Sequence, residues 1–426
     1  MVRPPSYTYR RISTSTAAEL CCDEVSLARI AAKFGTPLYV YSATMIRARL
    51  RAFDAAFRDV PHTICYAMKA NPSLAILRLV AREGHGFDVV SAGELERIQR
   101  VAAKAMRNVV FSGVGKARHE MELALRRGIL MFNVESGSEL DALAAEAQRM
   151  GTTARVAVRV NPDLPAKTHP YISTGLQRHK FGVPIAEAEN LYAAAAGRAG
   201  LEVAGVSVHI GSQINDARSF AAALERVAAM VRTLRAQGHA IRYVDAGGGL
   251  AIPYEGVGRD FRKQLAAYAK AVTRPLRGLG VHLVLEPGRS IVGPAGVLVA
   301  RVLYRKTNKD KRFLIVDAAM NDLLRPALYG AHHQIAPVVR TWTPHEVTDV
   351  VGPVCETGDF LARDRTLPVI PEGGLLAILD TGAYAASQGS NYNTRGKPAE
   401  VLVEGKTARL IRRRENAEDL MRLEAL

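Results

Sequence analysis

The chain has 426 residues, 48% of them hydrophobic and 23% charged, which is ordinary for a globular enzyme and long enough for two cores. No uninterrupted apolar stretch approaches the roughly 18 residues of a membrane span, and the N-terminal MVRPPSYTYRRISTSTAAEL lacks the apolar h-region of a secretion signal. The net charge of +16 invites a nucleic-acid reading, but the basic residues are dispersed except at RKTNKDKR (305–312) and LIRRR (410–414), and neither run is interleaved with aromatics. A solvated face explains these runs better, with attraction of anionic small molecules as the milder alternative. The adjacent Cys21 and Cys22, with Cys65 and Cys355, suggest neither a disulfide framework nor a zinc spacing, and they favour a reducing cytoplasm.

In chain order, PLYVY (37–41) reads as a strand and is followed by a regular series of β-rich runs: CYAMKA (65–70), GFDVVS (86–91), NVVFSG (108–113), MFNVES (131–136), RVAVRV (155–160), VAGVSVHI (203–210), RYVDAGG (242–248) and HLVLEPG (282–288). Between them lie segments with apolar residues at helical spacing, such as AGELERIQRVAAKA and SFAAALERVAAMVRTLRAQG, several ending at Gly. Strand–helix alternation predicts parallel pairing, and eight such units are the number that closes a (β/α)8 TIM-type barrel. An open doubly wound sheet is the alternative, since strand order is invisible in sequence. After about residue 291, VLVARVLYR, RFLIVDAA, HQIAPVV, EVTDVVGPVC, LLAILDT and AEVLVEG are short strands without long helices between them. The expected organisation is therefore an α/β chain: a barrel over residues 43–291, and an all-β barrel-like domain from 1–42 and 292–426 that includes the N-terminal strand.

Polar residues gather where the predicted barrel strands end: Lys69, Asp88, Ser91, Ser112, Asn133, Glu135, Asn161, His209, Asp245 and Glu286. In a barrel these ends share the face that carries catalytic sites. Lys69, in TICYAMKANPS (63–73), would otherwise read as a lysine snorkelling into water. The three glycines of DAGGGL (245–250) suit close approach of a phosphate, although a tight turn explains them about as well. His209 in HIGSQI is alone more easily a packing residue, and with no second spaced His or carboxylate pair it does not suggest a metal. The Glu286 and Arg289 of EPGRS form either a structural ion pair or two separate anchors, one for a cofactor ring nitrogen and one for a substrate carboxylate. Together an amine, a phosphate cradle, a stacking imidazole and a ring-nitrogen carboxylate are the requirements of pyridoxal 5′-phosphate.

YAMKAN, GFDVVSAGEL, HPYISTGLQRHKFGV, HIGSQI, DAGGGL, EPGRSIVGPAG, LLRPALYGAHH, GPVCETGDFLARDR and GAYAASQGSNYN, running from about residue 37 to 403, resemble the successive signatures of the diaminopimelate decarboxylases, fold-type-III pyridoxal-phosphate enzymes of bacterial lysine biosynthesis. The resemblance implies that Lys69 is the Schiff-base lysine, His209 the ring-stacking histidine and Glu286 the partner of the pyridine nitrogen. It implies a phosphate cradle of Ser212, Gly248, Gly249, Gly288, Arg289 and the Glu286–Arg289 backbone, completed by Tyr384. It further implies substrate contacts from Arg289, Arg325, Tyr329, Glu356 and Tyr384, and Cys355 as proton donor on a loop supplied by the partner subunit of a homodimer. CETGD departs from the expected CESGD, but Thr357 keeps the hydroxyl. The function so implied is decarboxylation of meso-2,6-diaminopimelate to L-lysine. Physical reasoning agrees, since Arg289 and Arg325 suit the distal carboxylate and Glu356 the distal amine, whereas two arginines would repel the distal ammonium of ornithine or lysine. The rival readings are another fold-III decarboxylase, acting on ornithine, lysine or carboxynorspermidine, and a non-catalytic pyridoxal-phosphate-binding protein. An alanine racemase is disfavoured by Glu286 at the ring-nitrogen position. Neither a metal, a nucleic acid nor a membrane is expected as a partner.

Overall fold

In the computed structural model, which describes residues 6–12, 17–164, 180–255, 260–340 and 342–425, the eight expected strands are all present. They are β1 (His62–Ala67), β2 (Gly86–Val89), β3 (Val109–Phe111), β4 (Met131–Val134), β5 (Ala154–Asn161), β6 (Leu201–Val208), β7 (Tyr243–Asp245) and β8 (His282–Leu285). Every neighbouring pair is parallel, and β8 pairs with β1 at Leu283↔His62, so the sheet closes on itself. The open-sheet alternative is thereby excluded. Most of these strands stop one to three residues earlier than the sequence runs suggested, because the polar and glycine residues at their ends belong to the following turns. Inside the barrel Cys65, Val110, Met131, Ala157 and Val284 form a buried core.

The intervening helices form for local reasons that the sequence displays. Ser91 and Ser136 accept hydrogen bonds from the backbone N–H of Glu94 and Glu139, and Asp216 caps the helix Ala217–Ala236 in the same way. That last helix buries Phe220, Leu224, Val227, Val231 and Leu234, spaced by three or four residues, along one stripe.

The chain divides into two compact units, the barrel unit (Arg49–Ile252 and Arg259–Ser290) and a second unit of Met1–Ala48, Pro253–Gly258 and Ile291–Leu426. The second is built on a sheet whose long strand Gly296–Asn308 pairs antiparallel with Lys311–Val316 on one side and with Leu38–Ser42 on the other. Leu38–Ser42 in turn pairs parallel with Ala399–Glu404, so the N-terminal strand sits in the middle of the sheet and not at its edge. Its alternation places Leu38 and Val40 in the core with Val297, Val299, Val401 and Val403.

Both basic runs are threaded with carboxylates. Lys311 lies 2.9 Å from Asp349 and 2.7 Å from Asp364, Arg305 reaches Glu346 at 2.8 Å, and Arg412 and Arg413 pair with Glu415 and Asp419. All four cysteines are free thiols, with Cys355 alone among them exposed. Among the described residues, no helix is long and apolar enough to cross a membrane and no cluster of metal-ligating side chains occurs.

Candidate active site

Parallel closure puts the C-terminal ends of all eight strands on one rim. Lys69 does not continue its strand: β1 stops at Ala67, and Met68–Ala70 forms a single 3-10 turn. Its amine lies 2.9 Å from the carboxylate of Asp88 at the end of β2, whose side chain is fully buried, while the lysine side chain itself is 37% exposed. An ion pair therefore positions the amine.

Glu286 follows β8 and is buried. Its Oε1 accepts from Ser112 Oγ at 3.2 Å and from Asn133 Nδ2 at 3.4 Å, and Asn133 Nδ2 also donates to Asp245 Oδ2 at 2.7 Å. Burial, reinforced by the neighbouring Asp245 and Asp88 carboxylates, pushes Glu286 well above the usual carboxylate range, and burial raises Asp245 as well. Such a site favours a cation, or a ring N–H, placed against it.

His209 follows β6 and accepts the Gly248 N–H on Nδ1 at 3.1 Å. Burial, with the nearby cations Arg159 and Lys69, holds its pKa well below the usual imidazole value. The ring is thus neutral, with its proton on Nε2. The DAGGGL turn is tight: a Cβ at Gly248 would lie 2.2 Å from the Glu286 carbonyl oxygen, and Gly249 adopts φ +108°, where only glycine is comfortable. At Gly288 a Cβ would come within 3.0 Å of the Ala70 side chain, so the EPG turn packs on the turn that carries Lys69. The buried Arg289 donates to Ser212 Oγ at 2.9 Å. Lys69, His209, Ser212, Gly248, Gly249, Glu286, Gly288 and Arg289 are thus brought to one rim of the barrel unit.

The second unit carries the remaining predicted residues. Cys355 and Glu356 are exposed on the loop after the strand His345–Val351. The buried Asp359 pins that loop from within, its two carboxylate oxygens each accepting a backbone N–H at 2.7 Å, from Met320 and from Val354. Cys355 N–H donates to Asn393 Oδ1 at 3.2 Å, and a hydrogen bond to Glu356 raises the Tyr392 phenol. Arg325 opens the short helix Arg325–Tyr329 and is buried, Tyr329 accepts from Gln388 at 3.3 Å, and Tyr384 sits at φ +54°.

Residues 43–293 match the family described as pyridoxal-dependent decarboxylase, pyridoxal binding domain. Over 410 residues the chain is 50% identical to diaminopimelate decarboxylase of Pseudomonas aeruginosa, covering 96% of this chain and 97% of that one. With the enzyme of the same name from Neisseria meningitidis serogroup A it shares 46% identity over 402 residues, 94% of this chain and 98% of the other. Among solved structures, diaminopimelate decarboxylase from Helicobacter pylori complexed with L-lysine superposes with TM-score 0.89 at 43% identity, covering 93% of this chain and 98% of that one. The enzyme from M. jannaschii in complex with L-lysine gives 0.92 at 36% identity, covering 100% and 99%.

The chain belongs to the diaminopimelate decarboxylase family.

For a diaminopimelate decarboxylase the rim chemistry fits pyridoxal 5′-phosphate. The glycine turns leave no room for a Cβ, the carboxylate suits a ring N–H, and the imidazole is neutral and flat. Asp88 Oδ1 and Asn133 Oδ1 are buried without a hydrogen-bond partner among the described residues, as expected where a polar group completes the rim. Asp88, Ser112, Asn133 and Asp245 were visible in the sequence as strand-end polar residues, yet nothing there showed that Ser112, Asn133 and Asp245 form a network with Glu286 or that Asp88 pairs with Lys69. Asp359 lay inside a family signature without an assigned role. Of the signature HPYISTGLQRHKFGV, the part up to residue 179 lies outside the described residues. The residues following it are anchored, with Gly182 N–H donating to Glu135 Oε2 at 2.9 Å and the Arg159 guanidinium 4.9 Å from the Phe181 ring centre.

Proposed function

We propose that this chain removes carbon dioxide from meso-2,6-diaminopimelate to yield L-lysine, with pyridoxal 5′-phosphate as cofactor. The observation that carries the reading is the gathering of Lys69, His209 and Glu286 around a side-chain-free glycine turn, in a chain half-identical to an enzyme of that name. When bound, the cofactor supplies an aldehyde that takes up amino groups and a pyridine ring that accepts the electron pair left at the α-carbon.

This chain's residues do the rest. Lys69 offers the amine, and Asp88 holds it in place before the cofactor arrives. Glu286, in a pocket that resists a bare negative charge, would keep a proton at the ring nitrogen, and His209 would offer its neutral ring to the cofactor. Backbone N–H groups at Gly248, Gly249, Gly288 and Arg289, with the Ser212 hydroxyl and Tyr384, would hold the phosphate. Arg289 and Arg325 would take the distal carboxylate, Glu356 the distal ammonium, and Tyr329 and Tyr384 would also contact the substrate. Cys355 would return a proton to the α-carbon. Its loop we assign to the barrel of the partner subunit in a homodimer with shared sites. Free thiols at all four cysteines support a reducing, cytoplasmic setting.

Ornithine and lysine decarboxylation are disfavoured because neither substrate has a distal carboxylate to meet the arginines. The test is carbon dioxide release from meso-diaminopimelate, L-lysine, L-ornithine and L-arginine by the holoenzyme. Turnover confined to meso-diaminopimelate is expected, and comparable turnover of ornithine would sink the assignment.

A further inference from the structure

We infer that His333 is the positioning residue that sets the plane of the Arg325 guanidinium for recognition of the substrate's distal carboxylate. This inference rests on the reading of Arg325 given under the proposed function, and it adds the residue that makes that arginine selective.

His333 is completely buried, and its Nδ1 lies 2.8 Å from the carbonyl oxygen of Leu379. A carbonyl can only accept, so Nδ1 carries the proton. The other ring nitrogen, Nε2, is 2.7 Å from Arg325 Nη1. A guanidinium can only donate, so Nε2 must present its lone pair. Both contacts are satisfied by one species only, the neutral imidazole with its proton on Nδ1.

The rest of the cluster holds that geometry. The Arg325 guanidinium carbon lies 4.2 Å from the centre of the Tyr254 ring, which fixes one face of the cation. The same tyrosine ring meets His333 edge-on at 5.0 Å. Arg365 donates to the backbone carbonyl of His333 at 2.8 Å, and the adjacent His332 contacts the Tyr254 carbonyl through Nδ1 at 3.2 Å. The two consecutive histidines of the GAHH signature thus divide the work, His332 holding the backbone of Tyr254 and His333 the head of Arg325.

The consequence for recognition is geometric. A guanidinium distinguishes a carboxylate from other anions through two parallel N–H bonds in one plane, and an arginine free to rotate about its last bonds loses that preference. With its face on Tyr254 and one Nη on His333, Arg325 keeps a single plane before substrate arrives, so the ordering cost is met in folding rather than in binding. His333 therefore acts on substrate affinity through Arg325 and has no part in the chemistry at the α-carbon.

The test uses reconstituted holoenzyme carrying His333→Leu, His333→Gln, Tyr254→Leu or Arg325→Lys. Each is measured for kcat and KM with meso-diaminopimelate and for inhibition by L-lysine, which in the orientation of the product, its side-chain amino end toward Lys69, keeps the distal carboxylate, and by cadaverine, which has none. His333→Leu is expected to raise both KM and the L-lysine Ki by about tenfold or more, with kcat within about threefold of wild type and the cadaverine Ki unmoved. His333→Gln, which restores an acceptor to the guanidinium, should recover most of the loss. A merely structural role would shift kcat and both inhibitors together and would not be rescued by glutamine. If the leucine variant does not fold, Tyr254→Leu reads the same orientation through the L-lysine Ki, checked by direct calorimetric titration. The inference is overturned if L-lysine binding survives within about twofold in the His333 and Tyr254 variants while Arg325→Lys weakens it. If Arg325→Lys also leaves it intact, the assignment of Arg325 falls and the inference falls with it.

Discussion

Glu286 shows how one residue's surroundings decide its chemistry. Folding buries its carboxyl among Asp245, Asp88, Ser112 and Asn133, so the folded apoprotein holds that proton more tightly than the unfolded chain does. Glu286's contribution to apoprotein stability is therefore complete below its ordinary value of 4.5 and is lost as the pH rises through its elevated folded value. Glutamine stays neutral throughout. Glu286→Gln should therefore raise the Tm of the apoprotein above wild type by about 2–4 °C at pH 8, with the gap closing toward pH 5, as read by scanning calorimetry. A gap of the same size at both pH values would mean that the carboxyl does not titrate as described. In the holoenzyme the same change should cost about 100-fold in kcat, because the amide does not keep the ring nitrogen protonated as a carboxylate does. The identity of this residue could be read from EPGRS, but its perturbation could not. The network responsible joins residues 112, 133, 245 and 286, and only the closed barrel makes them neighbours.

At the scale of elements, the glycine turn after β7 serves two purposes. It presents backbone N–H groups at the rim, and it lets the chain pass directly over the Glu286 carbonyl and beneath His209. Gly248→Ala places a methyl 2.2 Å from that carbonyl oxygen, a backbone atom that has no rotamer with which to yield. We expect the variant to lose about 2 kcal/mol or more of stability and to bind the cofactor at least about tenfold more weakly, measured by thermal unfolding and by cofactor titration. Native-like affinity would show that the turn can shift as a body. The sequence displayed the three glycines but left open a mere tight turn, because what decides between the readings is the atom lying across from the turn, about forty residues away in the chain. The 3-10 turn at Lys69 was hidden for a similar reason. Cys-Tyr-Ala-Met-Lys reads as continuous strand by propensity, and its early end follows from packing against the EPG turn.

At the scale of the molecule, the two residues proposed for catalysis fall in different units that a long stretch of sequence separates: Lys69 in the barrel and Cys355 in the β unit. If each site combines the barrel of one subunit with the Cys355 loop of its partner, mixing inactive Lys69→Ala and inactive Cys355→Ala proteins should restore activity. Random exchange makes half of the dimers mixed, each with one intact site, so about a quarter of wild-type activity is expected after dissociation and reassociation. No recovery, under conditions where labelled subunits demonstrably exchange, would place both residues of each site in the same chain.

By itself the sequence determined the eight strand–helix units, the all-β texture beyond residue 291, and the residue types gathered at strand ends, because these follow from local periodicity and turn chemistry. It also carried the signatures that mark the family. The tertiary structure decided that the sheet closes, that the N-terminal strand lies in the centre of the second sheet, and that Asp88 meets Lys69, Asp245 meets Asn133, Asp359 pins the Cys355 loop and His333 meets Arg325. Most of those are contacts between positions far apart in the chain. Burial and hydrogen-bond polarity act through space, and a linear pattern carries no record of which carboxylate or imidazole a fold will place within 3 Å of another group.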